Sequence, residues 1–93
     1  MNLTTEQLKA VKEMGNLYLP LNMVAANLEV SELELRVDMM DKDSDAYKAY
    51  MAGVGERTTA LHDAILRSAS NGSNPAQMEA LKFLAQIKND FVI

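Results

Sequence analysis

The sequence predicts an all-α protein, an N-terminal helix-turn-helix unit of three helices followed by a long helical hairpin, and three observations lead there. Apolar residues make up 48% of the chain but aromatics only 5%, so Ala, Leu and seven Met supply the interior, which favours helices over strands. Two Ser/Thr-x-x-Gln/Glu boxes stand just ahead of apolar runs, as at helix starts. The remaining breaks fall at Pro20 and at Gly72 to Pro75, residues that close or reopen helices.

The first helix is expected over 5–17. Thr4 and Gln7 form a capping box, Leu3 and Leu8 hold the two staple positions, and Leu8, Val11, Met14 or Gly15, and Tyr18 fall on one face. Pro20 cannot lie in a helix interior, so the chain resets there before a short helix over 21–28. Ser31 and Glu34 make the second box, with Val30 and Leu35 as its staple, and open a third helix over 32–41.

Asp41-Lys42-Asp43-Ser44-Asp45 interrupts the pattern, and Ser44 is placed to cap a fourth helix over 45–70. Along it Tyr47, Met51, Val54, Thr58, Leu61, Ile65 and Ser68 alternate in steps of four and three, a heptad-like seam. Gly53 and Gly55 each cost about 1 kcal/mol against Ala in a helix interior, so the helix bends there or another backbone approaches closely. Gly72 suits the stop, Asn74 a cap and Pro75 the first position of a fifth helix over 75–88. That helix has one narrow polar stripe, Glu79, Lys82, Gln86 and Asn89. Its apolar remainder exceeds what one neighbouring helix covers, so contacts from another subunit are expected. The domain reading is therefore residues 1–43 for the helix-turn-helix region and 44–93 for an oligomerisation hairpin.

Ninety-three residues without cysteine leave apolar packing or self-association as the means of stability. No apolar run approaches the ~18 residues of a membrane span, and the first residues lack the basic flank and apolar stretch of a signal peptide, which reads as a soluble intracellular protein with no membrane partner. The net charge is −4, and residues 32–45 concentrate it, with six carboxylates against Arg36 and Lys42. A DNA binder normally shows a basic footprint instead.

Residues 21–39 carry a helix-turn-helix pattern, with Ala25, Leu28, Val30 and Leu35 at its packing positions; Glu29 stands where the turn usually has Gly, and Asp38 where an aliphatic residue is usual. A helical hairpin with a coincidental pattern is the plainer alternative. As a DNA contact the third helix would lead with Ser31 and Arg36, joined by Lys9, Lys12 and Lys42 as the nearby cations. Asp41, Asp43 and Asp45 have the spacing of calcium-loop ligands, but Ala46 and Ala52 replace the required Gly and Glu, so a capping loop is the reading and no metal or cofactor is expected. Gly53-x-Gly55 lacks a strand and a Walker lysine. His62, the only histidine, has no readable nucleophile, so no enzyme is expected. Tyr47, Tyr50, Met51, Val54, Leu61, Ile65, Phe83, Leu84 and Ile87 are the candidate oligomer contacts.

The order and spacing of the pattern at 21–39, Ala46-Tyr47-Lys48-Ala49-Tyr50-x-x-Gly53, Ala69-Ser70-Asn71-Gly72 and Ala80-Leu81-Lys82-Phe83-Leu84 resembles the small terminase subunits of tailed bacteriophages. The resemblance implies a non-catalytic subunit. Its helix-turn-helix region would recognise viral double-stranded DNA, its hairpin would build a homo-oligomeric ring, and the ring would recruit or regulate the large terminase, which holds the packaging ATPase and nuclease. It also implies action in the cytoplasm of an infected bacterial host. The apolar tail Phe91-Val92-Ile93 is a candidate docking peptide for the large subunit, with packing on a neighbour as the equal alternative. Two other readings compete: a dimeric helix-turn-helix DNA-binding regulator, and an adaptor that binds only protein.

Overall fold

The computed structural model describes residues 1–91, and among them it is all-helical, with five helices and no strand. These are α1 (Thr5–Asn16), α2 (Leu21–Leu28), α3 (Glu32–Met39), α4 (Asp45–Ser70) and α5 (Asn74–Phe91). No helix of the described residues is long and apolar enough to cross a membrane. The chain divides into two compact units, Met1–Arg57 and Thr58–Ile93, so the first half of α4 belongs with the N-terminal helices. Val92 and Ile93, the end of the tail read as a docking peptide, lie outside the described residues.

Local chemistry sets most helix starts. At α1 both halves of the predicted box are made: Thr4 Oγ1 accepts the Gln7 N–H at 3.1 Å and Gln7 Oε1 accepts the Thr4 N–H at 2.9 Å. At α3 Ser31 Oγ accepts the Glu34 N–H at 3.3 Å. Ser44 Oγ takes the Tyr47 N–H at 3.1 Å and donates to the Asp38 carbonyl at 2.9 Å, so one hydroxyl opens α4 and ties it to the end of α3. Asp41 Oδ1 accepts the Asp43 N–H at 2.9 Å, which gives this acidic loop a turn-forming use.

The ends of α2 at Leu28 and α4 at Ser70 fall where the sequence puts them, and that of α1 one residue earlier. α1, α2 and α4 all close with paired bonds in which one N–H reaches back five residues: Leu19 to the Met14 carbonyl, Val30 to Ala25, and Ser73 to Ser68, each at 3.1 Å. Such closure needs a left-handed residue. Gly72 supplies it at φ +94°, but in the first two it is Tyr18 at φ 56° and Glu29 at φ 57°. Tyr18 thus lies beyond α1 rather than on its inner face, and Glu29 occupies the turn geometry that glycine holds at lowest cost. Glu29→Gly is expected to stabilise the protein by about 0.5–1 kcal/mol, read as a higher denaturation midpoint.

α3 ends at Met39, two residues short of expectation, because the Asp41 and Ser44 turn begins at once. α5 begins at Asn74, and Ser73 is its cap: Ser73 Oγ accepts the Ala76 N–H at 3.4 Å. Asn74 was the expected cap. Pro75 moves to the second helical position, still within the turn where a missing N–H costs nothing.

The N-terminal unit has a core of Val11, Met14, Val24, Ala25, Leu35 and Ala46. Leu28 and Val30 pack against it, so all four residues at the packing positions of the 21–39 pattern contribute to this interior. The first half of α4 crosses α1 where both lack side chains. A Cβ on Gly53 would collide with the Lys12 carbonyl and stand 2.7 Å from the Asn16 nitrogen, and one on Gly15 would collide with the Tyr50 carbonyl. Of the two outcomes expected for the Gly53 and Gly55 pair, close backbone approach holds at Gly53; a Cβ on Gly55 would meet nothing within 4 Å.

The second unit is built differently. His62 of α4 stacks on Phe83 of α5, ring centroids 3.7 Å apart and planes within 10°. Gln77 Nε2 donates to the Ala69 carbonyl at 3.1 Å, closing another of the groups left open at the end of α4. Ala76 is the one buried hydrophobic residue of this unit among the described residues.

Candidate functional site

The structure divides the five candidate DNA contacts into two sets. Lys9 and Lys12 of α1 line an open groove of about 470 Å³ with Glu13, Asn16, Leu17 and Glu56. Lys12 already pairs with Glu56 at 3.1 Å. Beside the groove Arg57 Nε donates to both the backbone and side-chain oxygens of Asn16, at 3.0 and 3.1 Å, closing the end of α1.

Ser31, Arg36 and Lys42 form the other set, on α3 and its flanks. Ser31 is occupied as a cap, and Arg36 faces Glu32 one turn earlier at 3.7 Å. Exposed ion pairs of this kind contribute little stability, but the carboxylate offsets the positive charge a phosphate would meet. Asp38, standing where an aliphatic residue is usual, is half-buried and faces the Met1 amine at 3.7 Å. α3 thus presents one paired cation amid carboxylates. A stripe of exposed aliphatic carbon, Leu33, Val37 and Met40, accompanies it. The signal for that stripe was readable: Leu33, Leu35, Val37, Met39 and Met40 exceed what an eight-residue helix buries on one side.

The candidate oligomer residues also divide. Tyr50 is half-buried and its hydroxyl donates to the Leu19 carbonyl at 2.7 Å, so it serves the interior of its own unit. Tyr47 and Val54 are half-buried and Met51 is exposed. Leu61 and Ile65 line a shallow groove of about 370 Å³ between α4 and α5, with Ser68, Ala76 and Glu79 on its other walls. Phe83 is spent on His62. Leu84 and Ile87 remain exposed, as do Met78 and Leu81 of the same broad apolar face, and the structure adds Leu66 of α4.

α5 consequently has two apolar sides. Ala76, Ala80 and Phe83 lie toward α4, whereas Met78 and Leu81, each 65% exposed, lie about half a turn away. The charges of this unit are balanced, and four of them are used locally: Arg67 pairs with Asp63 at 2.9 Å and Lys82 with Glu79 at 2.9 Å. The whole excess of −4 therefore sits in Met1–Arg57.

Among the described residues, no group of three or more His, Asp or Glu side chains is gathered as a metal site. Comparison with protein families, with curated proteins and with solved structures finds no match for this chain.

Proposed function

We propose that this protein is a non-catalytic, self-associating assembly subunit of the small-terminase kind, in which residues 58–91 join copies into a ring and the N-terminal unit serves viral DNA packaging. One observation carries the self-association. Among the described residues the second unit exposes Leu61, Leu66, Met78, Leu81, Leu84 and Ile87 on both its helices while burying Ala76 alone, so it lacks the interior that an isolated pair of helices needs. A second copy is the fitting occupant because each copy offers the same two apolar helices and no excess charge, so copies meet there without repulsion.

The packaging role rests on the resemblance of the motifs at 21–39 and 46–84, and with it come the large terminase as partner and the infected cell as setting. DNA contact is assigned to Lys9 and Lys12 of α1. Two cations bind a duplex weakly, and a ring repeats them around one DNA, which multiplies a weak contact into a useful one. The dimeric regulator has less support, since it requires α3 to read bases with a face of aliphatic carbon and carboxylates.

Native mass spectrometry with and without duplex DNA tests the proposal. A closed oligomer of more than two copies, of one size, that retains DNA at low salt is the expected result. A strict monomer at high protein concentration overturns the ring, and a stable dimer points to the regulator.

A further inference from the structure

Leu33, Val37 and Met40 are 73%, 59% and 84% exposed, and their spacing sets them in one line along the outer side of α3. Leu35, on the opposite side, is fully buried, so α3 is anchored without them. The line is bordered by carboxylates. Glu34 stands on one flank, the Glu32 and Arg36 pair on the other, and Asp41 just beyond the helix. A duplex approaching this surface would desolvate phosphates against carboxylates and find no row of donors for base edges.

We propose that this face of α3 docks an amphipathic helix of another protein whose apolar stripe is bordered by lysines and arginines. The apolar line supplies the contact area and the carboxylate border selects the charge of the partner and its orientation. A second copy is the poorer occupant: α3 against α3 sets two carboxylate borders face to face, and the charge-balanced unit 58–93 brings no cationic border. This surface is separate from the apolar sides of α4 and α5 assigned above to self-association, so either assignment can fail without the other.

The test uses the full chain and a labelled leucine–lysine peptide long enough for about five helical turns, followed by fluorescence anisotropy. The comparison ligands are the same peptide with glutamate for lysine and a short mixed-sequence duplex. Wild type is expected to bind the lysine peptide and not the glutamate one; the duplex, labelled and measured separately because it would bind the lysine peptide directly, is expected to bind wild type and the double variant below equally. Leu33→Ser combined with Val37→Ser is expected to weaken binding by about tenfold or more while leaving the circular dichroism and the oligomer mass unchanged, since both side chains lie outside the core. Glu34→Lys is expected to weaken binding at low salt, with the difference fading as salt rises. Unchanged peptide binding by the double variant overturns the proposal, as does equal binding of the glutamate peptide. A loss of duplex binding in the double variant would make α3 a nucleic-acid surface, and dissociation of the oligomer in the double variant would make it a contact between copies; either result overturns it.

Discussion

Gly53→Ala is expected to destabilise the N-terminal unit by about 3 kcal/mol, the upper range for forcing an extra methyl group into packed structure. The neighbour in the way is backbone. The Lys12 carbonyl and the Asn16 nitrogen belong to α1 and cannot rotate aside as a side-chain tip would, so α1 and α4 must separate. Separation would loosen the other ties across the same crossing, the Tyr50 hydroxyl on the Leu19 carbonyl and Arg57 on Asn16. Gly55→Ala, two residues on, is expected to do the opposite. Its added carbon enters open space, and alanine is favoured over glycine in a helix by about 1 kcal/mol. Thermal denaturation of both variants at one fixed protein concentration decides the matter: the midpoints should move in opposite directions, by ~4–8 °C per kcal/mol for a unit of this size. Equal shifts would mean that the crossing does not exist in solution.

Met78→Glu with Leu81→Glu is expected to reduce the oligomer to monomer. Each side chain is 65% exposed in the single chain and would be covered in an assembly formed through this side of α5. Losing two such contacts costs about 4 kcal/mol, roughly a thousandfold in affinity, before the added cost of bringing carboxylates into an apolar contact. A second effect should accompany the first. With only Ala76 buried among the described residues of this unit, its helices should depend on neighbours for their helicity, so the monomer should lose part of its helical circular dichroism while the core around Val11, Val24 and Leu35 persists. Sedimentation velocity and far-ultraviolet dichroism on the same samples measure both, and an unaltered mass would move the contact between copies elsewhere.

Helix starts were legible because their chemistry lies within four residues. Thr4 with Gln7, Ser31 and Ser44 each act where the sequence puts them. The ends of α2 at Leu28 and of α4 before Gly72 were legible as well, whereas α1 and α3 stop short of expectation because Tyr18 takes a left-handed conformation that its side chain disfavours and the Asp41 turn begins at once. The two glycines of α4 are alike in sequence, and only the passage of α1 separates them. In the candidate surfaces the apolar seam of α4 was visible as a period. Periodicity does not say which partner covers it: Ile65 is half-buried and Leu61 exposed along the groove beside α5 of the same chain, and Phe83 turns to His62. The aliphatic line on α3 was present in the pattern too, but a helix-turn-helix template directs attention to polar groups on that helix, and Leu33 and Val37 are neither core nor polar.

The short turn after α4 also restricts how copies can come together. Opening it so that α4 runs straight into its own α5, which would then pack on a neighbour, would make residues 71–75 helical, and there Pro75 lacks the N–H that would bind the residue 71 carbonyl and pushes its ring against that same group, at a cost of about 3 kcal/mol. Gly72 would also surrender the conformation at φ +94° that only it holds without strain. Exchange of arms between subunits is thereby disfavoured. In the assembly proposed above each copy would keep α4 and α5 as its own hairpin, completed against its neighbours rather than by exchange of arms, so association would be a bimolecular step sensitive to protein concentration.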